Sequence, residues 1–254
     1  MLNKRVRVVS LDTTVTDRAS AVEKIAELAR GRGGYVCVAT VHMVMEAYDD
    51  PGFAEKVNSA DLIVPDGMPL FWMQNRLGAT GGERIRGNDL MPALFEHAAK
   101  TGLKIGFYGG RPEVIEELKS RVPNDFPGIE IVYAHAPPFR VLSEEEDNAD
   151  TTAINDAAPD ILFVGLGCPK QENWMAAHRE RVSAVMIGVG AAFDFYAGNL
   201  REAPRWLSDL GLEWLFRLAM EPGRLWKRYL ILNPRFMWHA AGQIYRDNKI
   251  KQDI

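Results

Sequence analysis

Short runs of β-branched and aromatic residues recur along this chain, and between them apolar positions return at helical spacing. Val6–Val9, Tyr35–Thr40, Leu62–Val64, Lys104–Tyr108, Ile129–Tyr133, Ile161–Gly165 and Val185–Val189 read as strands. Ala19–Arg30 reads as a helix after a cap at Asp17 and ends at Gly31; Leu90–Lys100 ends at Gly102. Pro112–Arg121 opens on a proline in its first turn, and Glu144–Ala157 follows a Ser143 cap. Strands apolar on both faces, alternating with amphipathic helices, predict an α/β fold. The expected architecture is a mostly parallel, Rossmann-like sheet flanked by helices, with its strand order not readable. After Ala197-Gly198 the pattern changes. From Arg205 onward only helical stretches remain, punctuated by Pro222 and Pro234. The expected division is an α/β catalytic core over residues 1–199 and a helical appendage over 200–254.

Charge sharpens that division. The whole chain of 254 residues carries a net charge of -4, too acidic for a general nucleic-acid binder. Residues 213–254 nevertheless carry eight Lys/Arg against four Asp/Glu, whereas residues 1–212 carry 22 against 30. Four of the six tryptophans, Trp206, Trp214, Trp226 and Trp238, also lie in the last quarter of the chain. The longest apolar stretch, Val182–Phe193, is broken by Gly188 and Gly190 and stops at Asp194, so no spanning helix is expected. Met1–Arg5 is basic but lacks a following apolar block, which argues against a secretory signal. Cys37 and Cys168 make no disulfide framework, and a reducing cytoplasm fits them.

In an open parallel sheet, ligands bind beyond the carboxyl ends of the strands. Four such ends carry unusual residues. After Ile63-Val64-Pro65 comes Asp66-Gly67, where a carboxylate in a partly dry cleft would serve as a general base; Asp-Gly is also common turn chemistry. Tyr108-Gly109-Gly110-Arg111-Pro112 offers either an anion cradle of free amides or a tight strand-to-helix turn. Gly165-Leu166-Gly167-Cys168-Pro169-Lys170-Gln171-Glu172 crowds polar side chains at a helix start. There Lys170 would neutralise phosphate, and Gln171 and Glu172 would read a base or sugar. Gly188-Val189-Gly190-Ala191-Ala192-Phe193-Asp194 lacks the third glycine of a dinucleotide fingerprint and sets Asp194 between two phenylalanines.

Absences also inform. No two aspartates are separated by one residue, as a D-x-D metal clamp requires, and the five histidines show no ligand spacing. A site without metal or cofactor would stabilise a leaving diphosphate with amides, Lys and Arg. Arg217, Arg224 and Arg228 recur near helical spacing, with Lys227 beside them and Pro222 placed to interrupt the helix. With Trp226, Tyr229, Leu230 and Trp238 they suit an anionic membrane surface, a homo-oligomer contact or a solvated face.

Several segments together resemble the bacterial WecG/TagA/CpsF glycosyltransferases. They are Pro65-Asp66-Gly67-Met68-Pro69, Glu83-Arg84-Ile85-Arg86-Gly87, Tyr108-Gly109-Gly110, the run from Pro159 to Glu172, and Gly190-Ala191-Ala192-Phe193-Asp194. Glu213-Trp214-Leu215-Phe216-Arg217-Leu218, Glu221-Pro222, Arg224-Leu225 and Lys227-Arg228-Tyr229 continue the likeness into the tail. The resemblance implies an inverting, metal-independent transfer from a UDP-sugar to a polyprenyl-diphosphate-linked saccharide, peripheral on the inner face of the cell membrane. The sugar is of the N-acetylmannosamine, uronic acid or glucuronic acid type, and the products feed surface polymers. It also implies roles: Asp66 as base, Thr40 and Arg84 lining the site, Gln171 and Asp194 on the nucleotide-sugar, and Arg217, Arg224 and Arg228 as a lid over the diphosphate. Where the family often shows Thr-x-Asn, this chain has Thr40-Val41-His42, so His42 is a candidate sugar contact or a helper of Asp66. The rival readings are a nucleotide-sugar-modifying enzyme, disfavoured by the incomplete fingerprint, and a non-catalytic membrane-associated scaffold.

Overall fold

The computed structural model describes residues 4–252; Met1–Asn3 and Asp253-Ile254, included in the predicted core and appendage, lie outside the described residues. The chain opens with β1 (Arg5–Val8), β2 (Leu11–Thr14), α1 (Arg18–Ala29), β3 (Gly34–Ala39), α2 (Val41–Asp49), α3 (Pro51–Asn58) and β4 (Leu62–Pro65). It continues with α4 (Met68–Arg76), α5 (Gly87–Thr101), β5 (Lys104–Gly109), α6 (Pro112–Asp125), β6 (Glu130–His135), α7 (Glu144–Ala157) and β7 (Ile161–Gly165). After α8 (Lys170–His178) and β8 (Val185–Gly188) come only helices: α9 (Ala192–Tyr196), α10 (Arg205–Asp209), α11 (Glu213–Met220) and α12 (Pro222–Gln252).

Six strands form one sheet in the order β4-β3-β8-β7-β5-β6, every neighbouring pair parallel. Alternation along each strand decides which layer a side chain joins. Val36 and Val38 of β3 pack with α1, α5, α6 and α9; Tyr35, Cys37 and Ala39 pack on the other face with α2, α3 and α8. Burial on both faces explains the continuously apolar strands. The predicted caps form: Asp17 accepts from Ser20 N, Ser143 and Glu146 make a reciprocal capping box, and Gly102 ends α5 in the left-handed region at φ 73°.

The Val6 run is a strand, but not of this sheet. It pairs antiparallel with Leu11–Thr14 in a two-stranded hairpin, and Thr14 Oγ1 accepts from Ile63 N of the edge strand β4. The hairpin turn places Val9 at φ 56°, a conformation costly for a β-branched residue. Gln243 of α12 holds it there, accepting from Val9 N and donating to Arg7 O.

Pro222 does separate two helices, since it opens α12 in the first turn, where its missing N–H costs nothing; Pro234 lies inside α12 without ending it. At 31 residues the helix is about 45 Å long. Its middle docks on the core: Phe236 and Ala240 are buried among Met43, Val44 and Ala47. Arg235 makes a two-pronged pair with Asp49, and His239 lies against Tyr48. Among the described residues, no helix is long and apolar enough to cross a membrane.

Candidate functional site

Because all six strands run the same way, their carboxyl ends share one edge. Asp66 follows β4 there, its amide donating to Ala39 O at 2.9 Å, and Thr40 follows β3 as the cap of α2. Ile85 N donates to Pro65 O, which brings the 83–87 segment alongside. Arg84 then ties the core to the appendage. Its Nε donates to Asp66 O, its Nη1 to Ser208 O at 3.1 Å, and its Nη2 to the Glu213 carboxylate. Ser208 Oγ donates to the same Glu213 oxygen, and Arg86 Nη1 lies 4.0 Å from that oxygen too.

These contacts enclose a cavity of about 100 Å³. Its walls include Thr40, His42, Asp66 and Arg84 from the core, and Glu213, Trp214, Arg217, Arg228 and Tyr229 from the appendage. A more open trough of about 430 Å³ adjoins it, sharing His42 and Arg228 and adding Glu46, Arg224, Lys227 and Ile231. Burial pushes the Asp66 carboxyl up to about 6, and the Glu213 charge pushes the same way, against Arg84, Arg217 and Arg86. A carboxyl so tuned is a base near neutral pH. His42 goes the other way, down to about 4, through burial and the Arg228 charge. Burial also pulls the Arg228 guanidinium below the ordinary arginine range, with Arg217 and Arg224 adding repulsion. Among the described residues, Nε of Arg217 and Nε of Arg228 are buried without a hydrogen-bond partner, while the guanidiniums lie over the rings of Phe195 and Tyr229 respectively.

The remaining predicted residues lie along the same edge but line neither hollow. Gly109 and Gly110 stand at φ 107° and 78°, and the Gly110 amide is spent on Gly165 O at 3.0 Å, so it is not free for an anion. Gly165 lacks a Cβ for a packing reason: one would meet the Phe193 ring at 2.5 Å. Asp194 pairs with Arg111 at 3.0 Å. Lys170 is exposed and lies over the Phe139 ring, 4.3 Å from its centre. Gln171 and Glu172 are buried and engaged with the protein itself. Gln171 Oε1 accepts from Gly167 N, and its Nε2 donates to Glu172 Oε1 at 2.6 Å. Burial pushes Glu172 up to about 7. The Tyr-x-x-x-Lys spacing that a nucleotide-sugar-modifying enzyme would use occurs at Tyr245 and Lys249, on the exposed end of α12 and outside both hollows.

Sequence reasoning gave no site role to Glu213, Trp214 or Asn233 and put Tyr229 on the interfacial surface of the tail; all four line the cavity. Glu213, Trp214 and Tyr229 stand in segments that carry the family resemblance, and that was their signal. Asn233 has none.

The family model described as "Glycosyl transferase WecG/TagA/CpsF family" matches residues 6–250. A Bacillus spizizenii protein named N-acetylglucosaminyldiphosphoundecaprenol N-acetyl-beta-D-mannosaminyltransferase is 33% identical over 229 residues, covering 89% of this chain and 86% of that one. Proteins of the same name from Bacillus subtilis (31%; 78% of this chain, 75% of that one) and Staphylococcus aureus (30%; 82% and 79%) are also similar. On this match, and on a parallel α/β sheet with a helical tail, the chain belongs to the WecG/TagA/CpsF family and is a glycosyltransferase.

Proposed function

We propose that this enzyme transfers N-acetylmannosamine from its UDP conjugate to N-acetylglucosamine carried on a polyprenyl diphosphate, with inversion and without a metal ion. The reacting sugar and acceptor are those in the names of the three relatives. Asp66 is the observation that carries the mechanism: a carboxyl pushed up to about 6, in a cavity also lined by two arginines whose buried Nε–H groups have no hydrogen-bond partner among the described residues. It takes the proton from the acceptor hydroxyl as that oxygen bonds to the anomeric carbon. The bond from that carbon to the phosphate oxygen breaks in the same displacement, so a single carboxylate serves and inversion follows. UDP leaves as an anion, and Arg217 and Arg228 are the cations placed to meet its charge. Arg224, which lines the adjoining trough and pairs with Glu221 at 2.6 Å, is the cation assigned to the acceptor's diphosphate. Asp194 and Lys170, farther along the same sheet edge, are the donor-side candidates, whereas the Gly110 amide, Gln171 and Glu172 are already engaged within the protein.

Such an acceptor keeps the enzyme at a lipid surface. The exposed Trp226, Leu230, Ile231 and Trp238 of α12, beside Arg224 and Lys227, fit peripheral binding to the anionic inner face of the cell membrane, in the synthesis of surface polysaccharide. The deciding assay offers UDP-N-acetylmannosamine and a short-chain polyprenyl-diphosphate N-acetylglucosamine in excess EDTA and measures UDP release. Turnover undiminished by EDTA is expected. Turnover that needs an added divalent cation would refute the metal-independent route, and its absence under every condition would refute the substrate pair.

A further inference from the structure

His42 stands at the start of α2 and is a wall of both hollows. Its Nε2 lies 3.1 Å from Glu46 Oε1, and its Nδ1 is buried with no hydrogen-bond partner among the described residues. An imidazole that is neutral at physiological pH carries one N–H, and the Glu46 carboxylate 3.1 Å from Nε2 favours the tautomer with that hydrogen on Nε2. Nδ1 is then a bare lone pair. A buried acceptor without a donor is unfavourable unless a ligand supplies the hydrogen.

Position says which ligand. On the proposed function, the acceptor's reacting hydroxyl is at Asp66 and its diphosphate is at Arg224 in the trough. The sugar ring must bridge the two, and His42 is the residue that lines both the Asp66 cavity and the arginine trough from the core side. We infer that His42, its hydrogen placed by Glu46, is a specificity-determining residue whose Nδ1 accepts a hydrogen bond from an N–H or O–H of the lipid-linked acceptor sugar. This inference rests on the substrate pair proposed above.

Isosteric replacement separates the two nitrogens. The Asn amide overlays the Nδ1 end of an imidazole and the Gln amide overlays the Nε2 end, so Asn keeps an acceptor facing the sugar while Gln keeps only the partner of Glu46. The acceptors are short-chain polyprenyl-diphosphate N-acetylglucosamine and its 2-deoxy analogue, which lacks the acetamido N–H; deoxy analogues at the free hydroxyls other than the reacting one complete the set. Wild-type enzyme is expected to prefer the complete sugar over one of these analogues by roughly 5- to 30-fold in kcat/KM, the worth of one such bond. His42→Asn is expected to keep that preference, whereas His42→Gln and His42→Phe lose it by slowing only on the complete sugar. A ¹⁵N spectrum should show the Nδ1 resonance moving on addition of the acceptor and not of UDP alone. Unchanged discrimination in His42→Gln and His42→Phe, or a shift with UDP alone, would overturn the assignment. A wild-type enzyme inactive on every lipid-linked acceptor would instead overturn the proposed function.

Discussion

Asp66 binds its proton more tightly in the folded enzyme, at about 6, than an ordinary aspartate does. Its ionised form therefore costs folding stability at neutral pH, and that stability returns as the pH falls through about 6 toward the unfolded value near 4. Replacing Asp66 with Asn removes both the base and the strain of its charge. Turnover should drop by about 10²–10⁴-fold, while urea denaturation at pH 7.5 should show a gain on the order of 1–2 kcal/mol. A large loss of stability would mean that Asp66 serves the fold instead. Glu213→Gln should act on the same carboxyl from a distance. It removes a negative neighbour and frees Arg84, so the acid limb of the kcat/KM profile should move to lower pH, with the amplitude above pH 8 the quantity that reports any structural damage. Asp66 was legible as a candidate because a carboxylate ending an apolar strand is visible in the string of residues. Glu213 was not: nothing local in the tail says which core arginine it will face.

At the level of elements, β3, β5, β7 and β8 were readable because strands covered on both faces must be apolar throughout. The hairpin was only half readable. Its turn sits at Val9 and Ser10, without the Asn-Gly or Gly signal that normally marks a positive φ, because the partner that holds Val9 is Gln243, over two hundred residues away. Pro234 misled for a similar reason, since docking of α12 on α2 supplies more than one missing hydrogen bond removes. Phe236→Ala should test that docking, with an expected loss on the order of 3 kcal/mol in chemical denaturation. Gly165→Ala would drive a methyl into Phe193, displacing α9 and with it Asp194, so a lowered melting temperature together with a raised KM for the UDP-sugar is expected.

For the molecule as a whole, the acidic body and basic tail proved to be two sides of one cavity. If the tail also docks on lipid, Trp238→Ser with Leu230→Ser should weaken flotation with vesicles containing anionic lipid, and turnover of a water-soluble short-chain acceptor should be retained. Equal binding to neutral and anionic vesicles would show that the arginines play no part in docking. The joint between the two sides has a consequence in time as well as in space. The partners of Arg84, Ser208 and Glu213, lie more than a hundred positions downstream of it. A ribosome that has released the entire sheet has therefore made the floor of the Asp66 cavity without the roof that Glu213, Trp214, Arg217, Arg228 and Tyr229 supply, and a nascent chain halted before them is expected to be inactive.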